Sequence, residues 1–495
     1  MSNKIFGILN LSSRTIHTND KGEIFKNFTP FLPHIKPFDV KTKRKTLSDV
    51  FCTVSISDKT VLEYHENISP NEIPLILTKL EWKNCLKKEQ INEIINVDLT
   101  PNRISLQSIS YTIDPEGSLD RDDAIGIDII NKKVFINIAD PSSYISKDST
   151  FDKELNNRVQ SIYLDKVSHM FPEPLSTNII SLTEGNNCRA FTLELSYDDS
   201  YEIISHKFYK SHIRVKNLTY EEAEYHIQNK LNKDLLELYN FGLKHIYIKD
   251  LYDSHKMVEV FMILCNKFAA IEMKDIKSII RYNNSSKIDL TNIDKSIDIN
   301  SKLLEIYQIS NNEAATYEIN TELIGHKLLN LEHYTHFSSP LRRYVDLVLH
   351  RILYAKINNE REVYSEEEIK NLCLHINIIN KVYKLAYNID KLNKLLKDKT
   401  ILELECDLVY FNNNLIKLYH CDNNKDLLFF VNLIHSKIKD NIIIESNANE
   451  LSIKNEYNEI INLKLFQKVK IKIFKLKNSI KPYQISLVDP ILQLI

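Results

Sequence analysis

The sequence predicts an α+β fold in which a central domain of mixed sheet and helices stands between two small β-barrels of the OB type. Alternating apolar and polar residues, typical of strands, occur near both ends of the chain, at residues 51–57 and 468–473. The middle has strand-like runs first and helical periodicity later, which indicates an α+β body. We therefore expect a barrel and connector at 1–100, the central domain at 101–398 and a second barrel at 399–495.

The composition excludes several classes of protein. The chain has 495 residues and a formal net charge of −2, so a nucleic-acid partner requires a locally basic groove. The seven cysteines are scattered singly, which argues against a zinc site or a disulfide framework. No apolar run approaches the roughly 18 residues of a membrane span, and no secretory signal is visible. We expect a monomeric, cytoplasmic protein that does not enter a membrane.

Residues 1–100 read as short strands separated by turn signals. The run at 51–57 fits one strand of a small barrel, and a basic run occupies 41–45. The apolar residues 75–80 follow two prolines and predict a helix that leads into the connector. The length and pattern fit an OB-type barrel but are not specific to it.

The central domain begins with strands and continues with helices. Strand-like runs occupy 134–138 and 191–195, whereas residues 253–270 carry apolar side chains at helical spacing. These patterns predict a mixed or antiparallel sheet that is followed by helices.

Four aspartates form the most informative cluster of the chain: Asp114, Asp120, Asp122 and Asp123. Hydrophobic segments flank them, so we expect the cluster to lie on a folded core, where water, Arg121 or a divalent cation must compensate their charge. Ligands that are all oxygen favour Mg²⁺ or Mn²⁺ over zinc or copper. A calcium loop of the EF-hand type does not fit, because its twelfth position is an isoleucine instead of a glutamate.

A second polar cluster lies at a predicted helix start. Ser339 is a good N-cap, and Pro340 suits the first helical position. Arg342 and Arg343 then fall in the first turn, where the helix dipole disfavours cations, so this arrangement suits a bound phosphate. The alternative is that Asp346 or another carboxylate compensates the two arginines. Further polar and stacking groups lie upstream and favour phosphate binding: Tyr334, His336 and Ser338.

Residues 399–495 return to strands. In the run 468–473, Lys468, Lys470 and Lys472 share one face of a strand, and the apolar residues share the other. One interpretation is an edge strand that lysines protect from pairing. The other is a barrel strand that presents a basic stripe to a phosphate backbone.

Carboxylates that hold Mg²⁺, combined with arginines that hold phosphate, indicate phosphodiester hydrolysis with two metal ions. The pattern Asp114-x5-Asp120-x-Asp122-Asp123-Ala124 resembles the signature of the ribonuclease II and ribonuclease R family, which includes the catalytic subunit of the eukaryotic exosome. The stretch from Tyr334 to Asp346 resembles the second signature of the same family, in the same order. The resemblance covers residues 100–390. It implies an RNB catalytic domain that degrades single-stranded RNA from the 3′ end to nucleoside 5′-monophosphates, processively or distributively.

The resemblance also assigns roles to the aspartates. Asp114 and Asp123 are expected to ligate Mg²⁺, with Mn²⁺ as a substitute, while Asp120 and Asp122 complete the metal site. Asp122 is expected to be the least replaceable of the four. Asp120, Asp122 and Arg342 are the expected catalytic residues.

Contacts with single-stranded RNA are expected from other side chains. The resemblance implies that Arg342 contacts the phosphate near the scissile bond, that Tyr163 stacks on a terminal base and that Glu259 lies near the terminal nucleotide. From the residue patterns, the remaining expected RNA contacts are Arg343, Tyr334, His336, Lys468, Lys470 and Lys472.

The chain departs from the family pattern at a few positions. Asn137 stands where the family usually has a histidine, and Val260 stands where it has a second glutamate. A late Glu-Arg pair is replaced by Tyr387 and Asn388, which affects how the terminal nucleotide is positioned. An RNA-binding protein that kept the fold and lost turnover is the alternative to an active exoribonuclease.

Overall fold

The computed structural model divides into two compact units. The described residues are 4–9, 17–18, 24–30, 38–42, 50–55, 57–65, 97–164, 167–246, 252–285, 301–320, 325–397, 399–422, 425–432, 443–446, 450–454, 460–475 and 483–489. The first unit comprises Met1–Leu77, Ser285–Ala314 and Asn380–Ile495, and the second comprises Thr78–Asn284 and Ala315–Ile379. Residues 285, 301–314 and 380–397, which the sequence assigned to the central domain, therefore belong to the first unit instead.

The N-terminal strands form a barrel. They are β1 (Lys4–Leu9), β2 (His17–Thr18), β3 (Ile24–Pro30), β4 (Phe38–Thr42), β5 (Val50–Ser55) and β6 (Thr60–His65). Pairings of β1 with β5, β5 with β6, β6 with β4, β4 with β3 and β3 with β1 close a ring. Leu9, Val40, Cys52 and Val54 fill its core. This ring matches the OB-type barrel expected here, whereas the helix predicted at 75–80 lies outside the described residues.

The second unit is built around a closed barrel. The strands of this unit are β7 (Ile104–Asp114), β8 (Asp123–Asp128), β9 (Lys133–Ala139), β10 (Ile162–Tyr163), β11 (Val167–Ser168), β12 (Cys188–Tyr197), β13 (Ile203–Thr219), β14 (Ile279–Tyr282) and β15 (Thr316–Ile319). Strands β10 and β11 form a hairpin, and β14 pairs with β15. The barrel order is β12-β13-β7-β8-β9, and only the pairing of β13 with β7 is parallel. The predicted strands at 134–138 and 191–195 are confirmed, but the sequence did not predict that the sheet closes.

Helices complete both units, and the α+β class is confirmed. They are α1 (Thr150–Arg158), α2 (Tyr220–Gln228), α3 (Lys233–Lys244), α4 (Ser254–Glu272), α5 (Ser301–Asn311), α6 (Tyr344–Ile357) and α7 (Glu366–Leu396). A capping box of Thr219 and Glu222 starts α2, and the side chain of Asp253 caps α4 by accepting from the Lys256 N–H. The helix predicted from residues 253–270 is therefore confirmed.

The C-terminal strands form two sheets with a common core. They are β16 (Ile401–Phe411), β17 (Leu415–Asp422), β18 (Lys425–Asn432), β19 (Ile443–Ser446), β20 (Glu450–Lys454), β21 (Ile460–Lys464), β22 (Lys468–Lys475) and β23 (Tyr483–Asp489). The five-stranded sheet has the order β18-β17-β16-β22-β23, and the three-stranded sheet has the order β19-β20-β21. Leu418, Ile453 and Ile471 are buried in the same apolar cluster, so the two sheets pack together.

Strand β22 alternates as predicted. Val469, Ile471 and Ile473 are buried, and Lys468 and Lys470 are exposed on the opposite face. The strand lies between β16 and β23, so the interpretation of a lysine-protected edge strand is wrong.

Two further expectations from the sequence concern the cysteines and membrane-spanning segments. The cysteines that the structure describes at positions 52, 188, 265, 373, 406 and 421 are all free. Within the described ranges, no helix is long and apolar enough to cross a membrane.

Candidate active site

The acidic cluster lies at one end of the central barrel. Asp114 is the last residue of β7, and Asp123 is the first residue of β8, so the loop between these neighbouring strands carries the other two carboxylates. The loop turns sharply, with the Ser118 N–H donating to the Pro115 carbonyl at 3.1 Å. Gly117 has a φ of 81° there, a conformation that favours glycine.

The acidic loop is also held from a neighbouring segment. The Arg121 N–H donates to Oγ of Ser181, and this hydroxyl donates to the carbonyl of Leu119. The N–H of Leu182 donates in turn to the carbonyl of Arg121. These bonds fix the backbone of the loop without using any of the four aspartate carboxylates.

All four aspartates open onto one cavity of about 570 Å³. Six side chains expected to contact RNA line the same cavity: Tyr163, Glu259, Tyr334, His336, Arg342 and Arg343. The structure therefore brings together two motifs that are far apart in sequence.

The two motifs meet at the side chain of Asp122. Its Oδ1 accepts a hydrogen bond of 2.7 Å from the Leu341 N–H, and Nε of Arg342 lies 3.4 Å from its Oδ2. The Asp122 carboxylate is buried, and its backbone carbonyl accepts from the Ala139 N–H on β9. Asp122 is thus anchored on both the barrel and the second motif.

Burial is the largest cause of the raised pKa of three of the carboxylates. It raises the pKa of Asp114 to about 6, against the opposing charge of Arg121. Burial together with the charge of Asp114 raises the pKa of Asp123 to about 7. Burial also raises the pKa of Asp122 well above its ordinary value, although Arg342 opposes the shift. These groups therefore favour any cation that can enter the cavity.

Asp120 behaves differently from the other three aspartates. Its Oδ2 accepts from the Tyr163 hydroxyl at 3.2 Å and lies 3.4 Å from Nδ1 of His169. Burial acts to raise the pKa of Asp120, but His169 and Tyr163 outweigh it and hold the pKa below the ordinary value. The charge of Asp120 is therefore already matched by protein groups.

The donor set fits a hard divalent cation by its chemistry, but not yet by its arrangement. Oδ2 of Asp114 is buried without a hydrogen-bond partner. None of the described residues that line the cavity is a cysteine, so oxygen ligands dominate, as a hard cation requires. Among the described residues, no three His, Cys, Asp or Glu side chains stand close enough together to hold a metal ion. The four aspartates share a cavity without forming a finished coordination shell.

The two arginines have different partners. Arg343 donates from Nε and Nη2 to Oδ2 of the buried Asp346, at 3.1 and 2.7 Å. The alternative is thus correct for Arg343 through Asp346, and Arg342 lies within ion-pair distance of another carboxylate, that of Asp122. The side chain of Arg342 is 46% exposed and donates from Nη2 to Oγ of Ser339 at 3.0 Å. Arg342 is therefore the arginine that can turn toward a ligand.

The predicted helix start is wrong by several residues. Helix α6 begins at Tyr344, because Arg343 is extended, with φ −135° and ψ 122°, and forms a bridge with Gln160. Asp346 accepts the Ser339 N–H at 2.7 Å, so this backbone donor is already paired within the protein. Of the groups expected to bind a phosphate, Arg342 is therefore less engaged within the protein than Arg343 and Ser339.

Tyr334 and His336 form a buried wall of the cavity. The Tyr334 hydroxyl accepts from Nδ2 of Asn266 at 3.3 Å, and Nδ1 of His336 lies 2.6 Å from the Tyr317 hydroxyl. Burial, followed by the charge of Arg343, lowers the pKa of His336 well below its ordinary value. His336 is thus neutral and provides shape and hydrogen bonding, not charge.

Comparison with known proteins decides the family. The model of the RNB domain matches residues 103–241 and 231–359, which contain both motifs and every residue that lines the cavity. The chain belongs to the RNB domain family. Ribonuclease R of Aquifex aeolicus is 25% identical over 346 residues, which cover 55% of this chain and 49% of that protein. The chain spans about half the length of the first curated relatives it matches.

Solved structures share the fold. Ribonuclease R of Mycoplasma genitalium in complex with ribose methylated single-stranded RNA has a TM-score of 0.68 and 18% identity, and covers 98% of this chain and 90% of that chain. Yeast Ssd1, a pseudonuclease, has a TM-score of 0.64 and 13% identity, and covers 96% of this chain and 68% of that chain. At these identities the likeness concerns the fold alone, and one of the two RNB-type folds is described as a pseudonuclease.

Sequence reasoning missed two residues of this RNB site. Tyr220 lines the cavity because Thr219, at the end of β13, lies beside Asp114 on β7. Its ring stacks on His255, with 3.5 Å between ring centroids and 10° between the planes. His169 was missed as the partner of Asp120. The capping box at 219–222 was visible in sequence, but its position beside the aspartates depends on the barrel pairing.

The departures from the family pattern lie away from the RNB cavity wall or in the other unit. Asn137 is buried in the barrel, where it donates to Oγ of Ser110 at 3.0 Å and accepts from Oγ1 of Thr192 at 2.7 Å. Val260 is buried, whereas Glu259 faces the cavity and pairs with Lys256 at 2.7 Å. The positions of Tyr387 and Asn388 belong to the first unit.

The basic stripe of β22 faces an acidic strand. Glu403, Glu405 and Asp407 on β16 stand opposite Lys472, Lys470 and Lys468. Lys468 pairs with Glu405 at 2.8 Å, and Lys472 pairs with Glu403 at 3.0 Å. Within the described ranges, Lys470 has no ion-pair partner.

Proposed function

We propose that this RNB protein hydrolyses single-stranded RNA from its 3′ end and releases nucleoside 5′-monophosphates with the help of Mg²⁺, or Mn²⁺ in its place. The observation that supports this most strongly is the junction at Asp122, where a buried carboxylate of the first motif meets Leu341 and Arg342 of the second. The relatives named ribonuclease R support the same reaction class. We further propose that the protein is a monomer that acts on single-stranded RNA in the cytoplasm.

The cation belongs with the carboxylates whose pKa values are raised by burial. Asp114 and Asp123 have raised pKa values because of burial, and a divalent ion stabilises their ionised forms. Asp122 completes this set of metal ligands. Asp120 is expected to contribute its Oδ1, because its Oδ2 is engaged by Tyr163 and His169. When bound, such ions supply an activated water and stabilise the leaving oxygen.

Arg342 and Arg343 divide the work of the second motif. The half-exposed guanidinium of Arg342 lies beside Asp122 and is able to neutralise a phosphate near the scissile bond. Arg343 stays bonded to Asp346 and holds the segment that carries Arg342 and Leu341. Arg343 therefore supports the site, although it lines the same cavity.

The remaining cavity residues seat the RNA end. Tyr163 is 44% exposed and offers a ring face to the terminal base, and Glu259 offers a carboxylate near the terminal nucleotide. Tyr334 and His336 complete the wall. In the other unit, the basic stripe of β22 is expected to contact RNA phosphates mainly through Lys470, because Lys468 and Lys472 already pair with glutamates.

A cleavage assay tests the proposal. Purified protein with Mg²⁺ is expected to shorten a 5′-labelled single-stranded RNA from the 3′ end, and EDTA is expected to stop it. Asp122→Asn should bind the RNA without cutting it. Asp128→Asn is the matched control, because Asp128 is at the other end of β8 and its carboxylate accepts hydrogen bonds from Asn131 in the adjacent turn. Intact RNA in both Mg²⁺ and Mn²⁺ contradicts the proposal.

The second candidate is an RNA-binding protein without turnover. The observation that favours it is the lack of a finished metal-binding group among the described residues. In that case the wild type binds single-stranded RNA but leaves it intact, and the same assay separates the two functions.

A further inference from the structure

One oxygen of Asp120 joins the two sides of the β10–β11 hairpin. The hydroxyl of Tyr163, on β10, donates to Oδ2 of Asp120 at 3.2 Å. Nδ1 of His169, which directly follows β11, lies 3.4 Å from the same oxygen. Tyr163 lines the cavity, whereas His169 is not part of its wall. The histidine thus stands behind the carboxylate that holds the tyrosine.

The backbone around His169 is fixed independently of its imidazole. Nη1 of the buried Arg158 donates to the carbonyls of His169 and Met170, at 3.4 and 3.3 Å. The N–H of Met170 donates to Oγ of Ser161 at 2.8 Å, and the N–H of Ser161 donates to the carbonyl of Arg342 at 3.0 Å. Removing the ring of His169 therefore leaves its backbone in place.

We propose that His169 is a positioning residue: it fixes the carboxylate of Asp120, which in turn holds the ring of Tyr163 in place against the 3′-terminal base. The proposal rests on the stacking role of Tyr163 in the proposed function. A ring that is 44% exposed and held by one hydroxyl hydrogen bond is ordered only as well as its acceptor. Ordering the ring before RNA arrives removes a cost of binding.

The test compares two RNA oligonucleotides that differ only at the 3′ end. One carries an intact 3′-terminal nucleotide and the other an abasic one, and binding to the full chain is measured by fluorescence anisotropy in EDTA. Because stacking of one base on an aromatic ring contributes measurably, the wild type is expected to prefer the intact end by about tenfold. His169→Ala is expected to reduce the preference to about twofold, whereas His169→Asn, which keeps a side-chain N–H donor, is expected to restore it.

Combining variants separates positioning from a general structural effect. Tyr163→Ala should abolish the preference, and adding His169→Ala should change nothing more, because both act through one ring. His206→Ala is the matched control, since His206 forms a similar half-buried pair with Glu272 at 3.1 Å outside the cavity lining. It should keep the preference of the wild type.

Each outcome has one meaning. The positioning role is overturned if His169→Ala keeps the wild-type preference for the intact 3′ end, or if His169→Asn binds like His169→Ala. It is also overturned if His169→Ala has a further effect in the Tyr163→Ala protein. A wild type without any preference overturns it together with the stacking role of Tyr163. Cleavage by the wild type in Mg²⁺, measured separately, shows whether the proposed hydrolysis itself holds.

Discussion

The N–H of Leu341 donates a hydrogen bond of 2.7 Å to Oδ1 of Asp122, across 219 positions of sequence. This bond fixes a buried carboxylate of the acidic loop against the segment that presents Arg342. Since the donor is a backbone group, the contact depends on the path of residues 338–343 and not on a side chain at position 341. The path is in turn held by the bond from Ser339 to Asp346.

Arg342 and Arg343 are expected to respond differently to substitution. Arg342→Ala removes a half-exposed guanidinium, so RNA cleavage should fall by about 100-fold. Stability should change by about 1 kcal/mol or less, as for a partly exposed ion pair, here with Asp122. Arg343→Ala leaves the buried Asp346 without its ion-pair partner and should cost about 3–5 kcal/mol of unfolding free energy. Cleavage rates and urea denaturation measure both effects. Equal loss of stability in the two variants contradicts the assigned division of roles.

Magnesium is expected to stabilise the fold as well as to support cleavage. A ligand that binds only the folded state at about 100 times its Kd adds about 2.7 kcal/mol. The Tm should therefore rise with Mg²⁺ and fall back with EDTA in the wild type. Asp114→Asn combined with Asp123→Asn should remove the response, and Asp128→Asn should keep it. A Tm response that survives the double substitution places the cation elsewhere.

His326 gives the stability a pH dependence. Burial, followed by the charge of Arg281, lowers the pKa of His326 to about 4. Between that value and the ordinary pKa of about 6.5, the unfolded chain binds a proton that the folded chain excludes. The unfolding free energy should therefore fall as the pH drops through this window, by about 1.4 kcal/mol per pH unit from this group. His326→Gln should reduce the slope by that amount in denaturation at several pH values; an unchanged slope contradicts the assignment.

Gly242 on α3 is expected to tolerate no side chain while Tyr252 keeps its hydroxyl. A Cβ at position 242 meets Oη of Tyr252 at 1.9 Å, and this hydroxyl is buried without a hydrogen-bond partner. Gly242→Ala should cost about 1–3 kcal/mol of stability through overpacking. Tyr252→Phe should be neutral or stabilising by itself and should relieve the alanine variant. Additive effects in the double variant contradict the contact.

Sequence determined the local chemistry of this protein. Residues close together along the chain produce the alternation of β22, the apolar spacing of α4 and the oxygen-only ligands of the acidic loop. These local patterns were enough to predict the α+β class and the candidate chemistry. The two motifs were recognisable for the same reason. The start of α6 was misplaced because Ser339 and Pro340 look like a helix start locally, while Gln160 and Asp346 hold this segment extended.

Tertiary structure decided which groups meet. Closure of the barrel placed Thr219 beside Asp114 and so brought Tyr220 into the cavity. In the folded chain Arg343 pairs with Asp346, whereas Arg342 stays half exposed. The sequence of two adjacent arginines does not show this difference. Folding also brings His169 next to Asp120, and it pairs the β22 lysines with acidic residues on β16. The physical reason is that charge compensation acts over a few ångströms in space, and only the folded chain determines which groups lie within that distance.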